Sequence, residues 1–340
     1  MEATVAAPTN RWVEALYRHR ILLGLGAMVV IGIAYFYNVD PRATTAVLNA
    51  ALRHSTPLVL GALCGLMGER AGIINIGIEG QMLLSAFVGF RVTVATGSLV
   101  LGLAAAILTG AALGAFLGFM SITLKMDQII GGTVINILAF GLTGFYYRIG
   151  LTIPAKLPTI RLGPLAELDL VGPVLFTNTP IIYVTLLLVA IFHYVLFFTR
   201  WGLRTRAVGE HPSAADTVGI NVHAMRYSNV IIGGALAGLA GAFLSLEAVG
   251  TFDRAMTNGR GFVALAVMIF GKWTPIGAWG AALLFGLATA LQTQIQFSGA
   301  VDIPHQFIGL LPYVLTIVVL AGFVGRARPP AAIGKPYDTE

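Results

Sequence analysis

Along most of this chain, apolar residues follow one another in runs long enough to cross a bilayer as helix, which takes about 20 residues. Ten such runs are separated by short polar intervals, at about 21–37, 46–67, 73–90, 98–124, 129–147, 180–198, 228–249, 262–270, 276–295 and 307–323. They are apolar on every face, the pattern of a helix surrounded by lipid. The eighth is short and flanked by Arg260 and Lys272, so a broken helix is expected there. Residues 150–179 carry Pro154, Pro158, Pro164 and Pro173, a density that predicts a loop. The fold class expected is an all-α integral membrane protein of about ten transmembrane helices. Its parts are an N-terminal tail (1–20), a transmembrane domain (21–325) with an outer loop (150–179) and an inner loop (200–227), and a C-terminal tail (326–340).

Composition agrees. The chain has 340 residues, is 57% hydrophobic and only 11% charged, against about 25% charged in a soluble domain. Its mean hydropathy is +0.84. The net charge of +6 reflects Lys and Arg in cytoplasmic loops under the positive-inside rule, not nucleic-acid binding. With both termini inside, the inner segments hold Arg11, Arg18, Arg20, Arg70, Lys125, Arg200, Arg204, Arg206, Arg226, Lys272, Arg326, Arg328 and Lys335, so every short inner loop carries a cation. Localisation is therefore expected to be a membrane, multi-pass, with cytoplasmic termini. The first run lacks an A-x-A cleavage pattern and reads as a retained span. Cys64 is the only cysteine, a buried structural thiol with no disulfide or metal pair available. The pairs Gly61/Gly65, Gly110/Gly114/Gly118 and Gly234/Gly238 have the small-residue spacing of closely packed membrane helices.

Two polar stretches break the pattern. The first, Glu69–Met82 (ERAGIINIGIEGQM), sets Asn75, Glu79 and Gln81 in or beside a span that Gly72, Gly77 and Gly80 loosen. Polar side chains at membrane depth are costly and face a cavity or one another. Irregular backbone is tolerated there only when buried or lining water. The residues therefore either line a path for a polar solute or form a hydrogen-bond cluster between helices; Gln128 and Asn136 in DQIIGGTVIN pose the same choice. Glu247, near the outer end of the seventh span, reads as solvated. The second stretch, Arg200–Asn221 (RWGLRTRAVGEHPSAADTVGIN), is the longest charged interval between apolar runs. Pro212 suits the first position of a helix, Asp216 its first turn and Gly219 the position past its end. A two-turn helix over 212–218 results, with Ala214, Ala215 and Val218 on one small apolar face. Two turns are unstable alone in water, so this helix either docks in a protein groove or lies on the membrane surface; the small face favours the groove.

Catalytic signatures are missing. The sequence has no GxxxxGK[ST], HExxH or GxSxG, and its six histidines are scattered. No enzyme activity, metal or cofactor is expected. The remaining alternatives are a transporter driven by a partner and a stand-alone secondary transporter or channel for a small polar solute.

At the two polar stretches the chain resembles the permease subunits of ABC importers in the group serving branched-chain amino acids, ribose-type sugars and nucleosides. GLRTRAVGEHPSAADTVGINV is similar to that group's cytoplasmic coupling loop, at Ala207, Gly209, Glu210, Ala214, Ala215, Gly219 and Ile220. GERAGIINIGIEGQM is most like the nucleoside and simple-sugar branch. The resemblance runs from about Thr56 to Ala321. It implies that Arg206, Gly209, Glu210, Pro212, Ala214, Ala215 and Gly219 couple to separate cytoplasmic ATPase subunits, which hydrolyse the ATP. It implies a second permease subunit, identical or sister, and an extracellular solute-binding protein. It also implies an inverted repeat of spans 2–5 and 7–10. Asn75, Glu79, Gln81, Gln128 and Asn136 are then the expected translocation pathway for a neutral nucleoside or sugar.

Overall fold

The computed structural model describes residues 31–298, 305–310, 314 and 328–338. The N-terminal tail lies outside this set, as do most of the first and tenth expected spans. Among the described residues, six helices are long and apolar enough to cross a membrane: Ile78–Thr96, Leu99–Thr123, Gln128–Tyr146, Pro180–Phe198, Val222–Val249 and Pro275–Phe297. These are the third to seventh and the ninth expected spans. The second is longer than expected, at Pro41–Arg70; the eighth is an 11-residue helix, Arg260–Phe270.

We number the helices α1 (Pro41–Arg70), α2 (Ile78–Thr96), α3 (Leu99–Gly118), α4 (Gln128–Tyr146), α5 (Pro180–Phe198), α6 (Arg200–Glu210), α7 (Pro212–Thr217), α8 (Val222–Ala242), α9 (Arg260–Phe270) and α10 (Pro275–Ser298). π-helical turns extend α3 to Thr123 and α8 to Val249. The outer loop holds two short helical turns and a two-residue antiparallel pairing of Ile160–Arg161 with Thr177–Asn178.

The core forms where glycine lets backbones approach. The most extensive pairing is α3 with α8. A Cβ at Gly110 would sit 2.7 Å from the Gly238 Cα, and one at Gly114 2.5 Å from the Val230 carbonyl. On the other side of the bundle, Gly61 and Gly65 of α1 take Ala264 and Met268 of α9. Lipid gives helices little hydrophobic reason to associate, so such close contacts hold the bundle. The expected small-residue seams are those that form.

Two element boundaries and the setting of one acidic residue differ from the sequence reading. The third span does not begin as helix at Ile73; residues 71–77 are turns and extended chain, and α2 starts at Ile78. The side chains that satisfy this buried backbone come from elsewhere in the chain. Gln128 accepts from the Ile74 N–H (2.7 Å), Asn136 donates to the Ile76 carbonyl (3.1 Å) and Arg226 to the Ala71 carbonyl (3.2 Å). The seventh span starts at Val222, not Ser228, because Asn221 caps the Ala224 N–H (2.8 Å). Its polar first turns hide this in a hydropathy pattern, yet Arg226 is 1% exposed. Finally, Glu247 is buried rather than solvated. Its carboxylate accepts from the Thr179 hydroxyl and from the Ile181 N–H (3.0 Å), capping the start of α5.

Residues 328–338 lie along one end of the bundle. The Ala332 N–H donates to the Gly209 carbonyl (2.9 Å) and the Gly334 N–H to that of Gly72 (3.0 Å). Arg226 donates to the Lys335 carbonyl (3.1 Å), Tyr337 to Asp216 (2.8 Å), and Lys125 pairs with Asp338. This strap ties α6 and α7 to the turn before α2.

Candidate translocation and coupling sites

The five expected pathway residues spend most of their hydrogen bonds on the protein. Asn136 accepts from the Gly80 N–H (2.7 Å) while donating to Ile76, and Gln128 holds Ile74. Gly80 packs so closely on Asn136 that a Cβ would meet its Cα at 2.7 Å. Asn75 donates to Gln81 (3.0 Å) and to the Cys64 sulfur (3.4 Å). That leaves the Asn75 Oδ1 and the Gln81 Nε2 buried without a partner. Glu79 is 1% exposed. One carboxylate oxygen accepts from the Gly259 N–H (2.8 Å) and the other from the Gly261 N–H (2.6 Å). Glu79 thus supplies a negative charge at the N-terminus of α9, where the first N–H groups lack helical partners and the dipole favours an anion. Gly259 is needed there, because its φ is +79°.

Beyond Glu79 lie two adjoining cavities that sequence reasoning missed. One, of about 360 Å³, is lined by His54, Leu58, Asn258, Arg260, Val263, Phe285, Thr289, Gln292 and Gly309. The other, of about 590 Å³, is lined in part by Arg53, His54, Phe243, Leu244, Asp253, Met256, Asn258 and Arg260. His54, Asn258 and Arg260 belong to both. Each cavity falls in the usual small-molecule range of roughly 300–1,000 Å³. Phe243, Leu244 and Val249 sit in the π-helical end of α8, a distortion frequent at functional sites. The signal in the sequence was Asn258–Gly259–Arg260 before a short apolar run. Polar residues and glycine mark the start of a short apolar helix, as Asn75–Gly80 do at the start of α2.

The cavities lie beside the middle of α1 and the charged interval at its C-terminal end. His54 precedes Arg70 by sixteen residues, about 24 Å along a helix. At the Arg70 end, a Cβ on Gly209 would clash with the Arg70 carbonyl, so α6 touches the end of α1 directly. Arg70 donates to the Trp273 carbonyl from Nε (2.9 Å) and Nη2 (2.6 Å), and the Trp273 indole donates to Glu69 (2.5 Å). Trp273 lies just past α9. One short helix therefore runs from the cavities to the underside of the charged interval.

That interval is almost wholly helical, as α6 and α7. Pro212 is in the first turn of α7 and Gly219 (φ +83°) follows its end, as expected. Gly219 and Ile220 return their N–H groups to the carbonyls of Asp216 (2.8 Å) and Ala215 (3.0 Å). Asp216 is not in the first turn; it sits near the end of α7 and accepts from Tyr337. Nor do the three small residues share one face. Ala215 is buried against Val208 and Val222, while Ala214 and Val218 face outward, Val218 at 73% exposure. Glu210 accepts from the Ala331 N–H (3.2 Å), and Arg206 lies 5.2 Å from the Phe197 ring centroid. Exposed on this interval are, among others, Ala214, Val218, Leu203 and the arginines Arg200 and Arg204.

Comparison with known proteins places this architecture. Residues 47–320 match the model of the branched-chain amino acid transport system permease component. The chain is 42% identical over 301 residues to the nucleoside ABC transporter permease protein NupC of Lactococcus lactis, covering 84% of this chain and 94% of that one. It is 38% identical over 311 residues to the guanosine ABC transporter permease protein NupQ of Bacillus subtilis (86% and 96% covered). It is also 38% identical over 320 residues to the putative glucose ABC transporter permease protein TsgC13 of Haloferax volcanii (86% and 97% covered). No solved structure matches. With the family match spanning all but the ends, this multi-pass membrane protein belongs to the branched-chain amino acid transport system permease component family.

Proposed function

We propose that this chain is the membrane subunit of an ATP-driven importer for nucleosides, with simple sugars as the second solute class. The observation that carries the reading is the exposed Ala214–Val218 face of α7. It is a two-turn helix held on the bundle by Ala215 and by the 328–338 strap, and it presents small side chains to a partner. The class is supported by the relatives described as nucleoside, guanosine and glucose permeases. The chain carries no P-loop, so ATP hydrolysis belongs to separate subunits seated on α6 and α7. That end of the bundle is cytoplasmic, as are both termini, and the cavities open toward an external binding protein. A second permease subunit, identical or sister, completes the pore.

In this reading Arg206, Gly209, Glu210, Pro212, Ala215 and Gly219 shape and anchor the coupling element, and Ala214 makes the contact. The solute enters by the His54–Arg260 cavities and leaves past Asn75 and Gln81, whose unpartnered polar atoms lie inward of Glu79. Gln128 and Asn136 frame that route by holding the 71–77 turn. The test replaces Ala214 or Val218 with Trp and measures ATP-dependent nucleoside uptake in vesicles holding the full complex. Uptake is expected to fall at least tenfold while the permease keeps its elution and thermal profile. Undiminished uptake in both variants refutes the coupling assignment.

A further inference from the structure

We infer that Asn258 and Arg260, at the junction of the two cavities, select the solute: they read the acceptor edge of an uncharged heterocyclic base. This rests on the importer reading for its solute class. Three observations support it. First, unspent donors converge. Arg260 gives only Nη1 to the protein, to the Met256 (2.9 Å) and Thr257 (3.3 Å) carbonyls, so Nε and Nη2 make no hydrogen bond. The Asn258 amide makes none either, and Gln292 adds a second free amide at the rim of the smaller cavity. A guanidinium fork and a carboxamide match the paired ring-nitrogen and carbonyl acceptors of a purine.

Second, the usual seat for an anionic solute group is already taken. The N-terminus of α9, which in a broken membrane helix often receives such a group, is occupied by Glu79. In the larger cavity Asp253 shares the lining with Arg53 and Arg260, and the Glu79 carboxylate, buried outside that lining, attracts Arg260. A carboxylate or phosphate on the solute would therefore compete with a built-in anion, which an uncharged solute does not. Third, both linings also carry apolar side chains: Leu58, Val263 and Phe285 in one cavity, Phe243, Leu244 and Met256 in the other. A flat ring thus finds nonpolar surface to lie on as well as donors to bond.

Two substitutions isolate the donors. Asn258 has a φ of +45°, so Asn258→Gly removes the amide and keeps a backbone that glycine adopts without strain. Arg260→Lys keeps the charge beside Glu79 and loses the planar fork. Uptake by the full complex is measured for guanosine and for 7-deazaguanosine, which lacks one ring acceptor, each at concentrations saturating the external binding protein. The ratio of the two maximal rates is read, so a variant that assembles poorly lowers both alike. The wild-type ratio is expected to favour guanosine at least tenfold, and to fall below threefold in each variant. A wild-type ratio near one, or a ratio that neither variant changes, overturns the assignment. Running the same series with and without ATP separates the two readings: ATP-independent uptake defeats the importer, while the ratio still decides the site.

Discussion

Replacing Glu79 tests the link between the two halves of the bundle. Its carboxylate takes two backbone N–H groups at the start of α9, at 2.8 and 2.6 Å, from a position 1% exposed. In Glu79→Ala both N–H groups lose their acceptor, and a buried donor left unsatisfied costs about 1–3 kcal/mol. The pair therefore amounts to roughly 2–6 kcal/mol, and the variant also strands the Arg260 guanidinium beside an empty site. Glu79→Gln keeps one acceptor oxygen but turns an amide toward the other N–H, so its cost is about half, roughly 1–3 kcal/mol. At about 2 °C per kcal/mol, Glu79→Ala lowers the unfolding temperature of the purified complex by roughly 4–12 °C, and Glu79→Gln by about half of that. Gly261 packs against the Glu79 backbone, where a Cβ would sit 2.5 Å from its Cα; no nearby side chain has room to move in and replace the lost acceptor. The assay is thermal unfolding of the detergent-solubilised complex, paired with vesicle uptake. A Glu79→Ala protein that melts within 1 °C of wild type refutes the argument. If both variants melt as predicted, but only Glu79→Gln retains transport, the carboxylate serves to set α9 in place.

Glycine positions give a paired prediction. Gly238→Ala sets a methyl 2.9 Å from the Ile107 Cα, which is backbone and cannot turn aside, so it costs about 1–3 kcal/mol. Gly141→Ala meets nothing within 4 Å and is neutral or stabilising by up to about 1 kcal/mol; thermal unfolding of the two should therefore diverge. Truncation after Arg328 removes the strap's bonds to Gly209, Glu210, Asp216 and Arg226. It should speed tryptic cleavage at Arg200, Arg204 and Arg206 at least tenfold; unchanged cleavage means that the strap does not hold α6 and α7.

Among the described residues, hydropathy alone places every long span, because a lipid-facing helix must be apolar along its whole length. Proline and glycine punctuation is equally legible: Pro180, Pro212 and Gly219 stand at the helix ends expected of them. Where the reading fails, side chains from distant segments make the structure. Ile74 and Ile76 look like span residues, yet they lie in extended chain because Gln128 and Asn136 bond their backbone across more than fifty positions. Val222 begins a helix whose first turns are polar because Arg226 is satisfied by Ala71 and Lys335. Ala215 and Ala214 look equivalent, and only the position of Val208 and Val222 decides which one turns inward. The cavity residues were hidden for a similar reason. Arg53 and His54 lie inside one apolar run, and Asn258 and Arg260 just before another. Nothing local reports that α1 and α9 bring them together.

The half-length of α9 bears on how the membrane stays tight. Eleven residues rise about 16 Å, roughly half of a hydrocarbon layer about 30 Å thick. On the proposed route, the barrier between the cavities and the far end of α9 is the seam where Gly61 and Gly65 are fitted against Ala264 and Met268. On the α1 side this seam is glycine, and so it is smooth there. Shifting α9 a few ångströms breaks few side-chain interlocks, so it opens at low energetic cost. The same smoothness makes the seal intolerant of bulk: one added branched side chain on this seam would hold the two helices apart and leave a standing leak for small ions, a defect that would show as lost membrane potential even in a cell that never imports the solute.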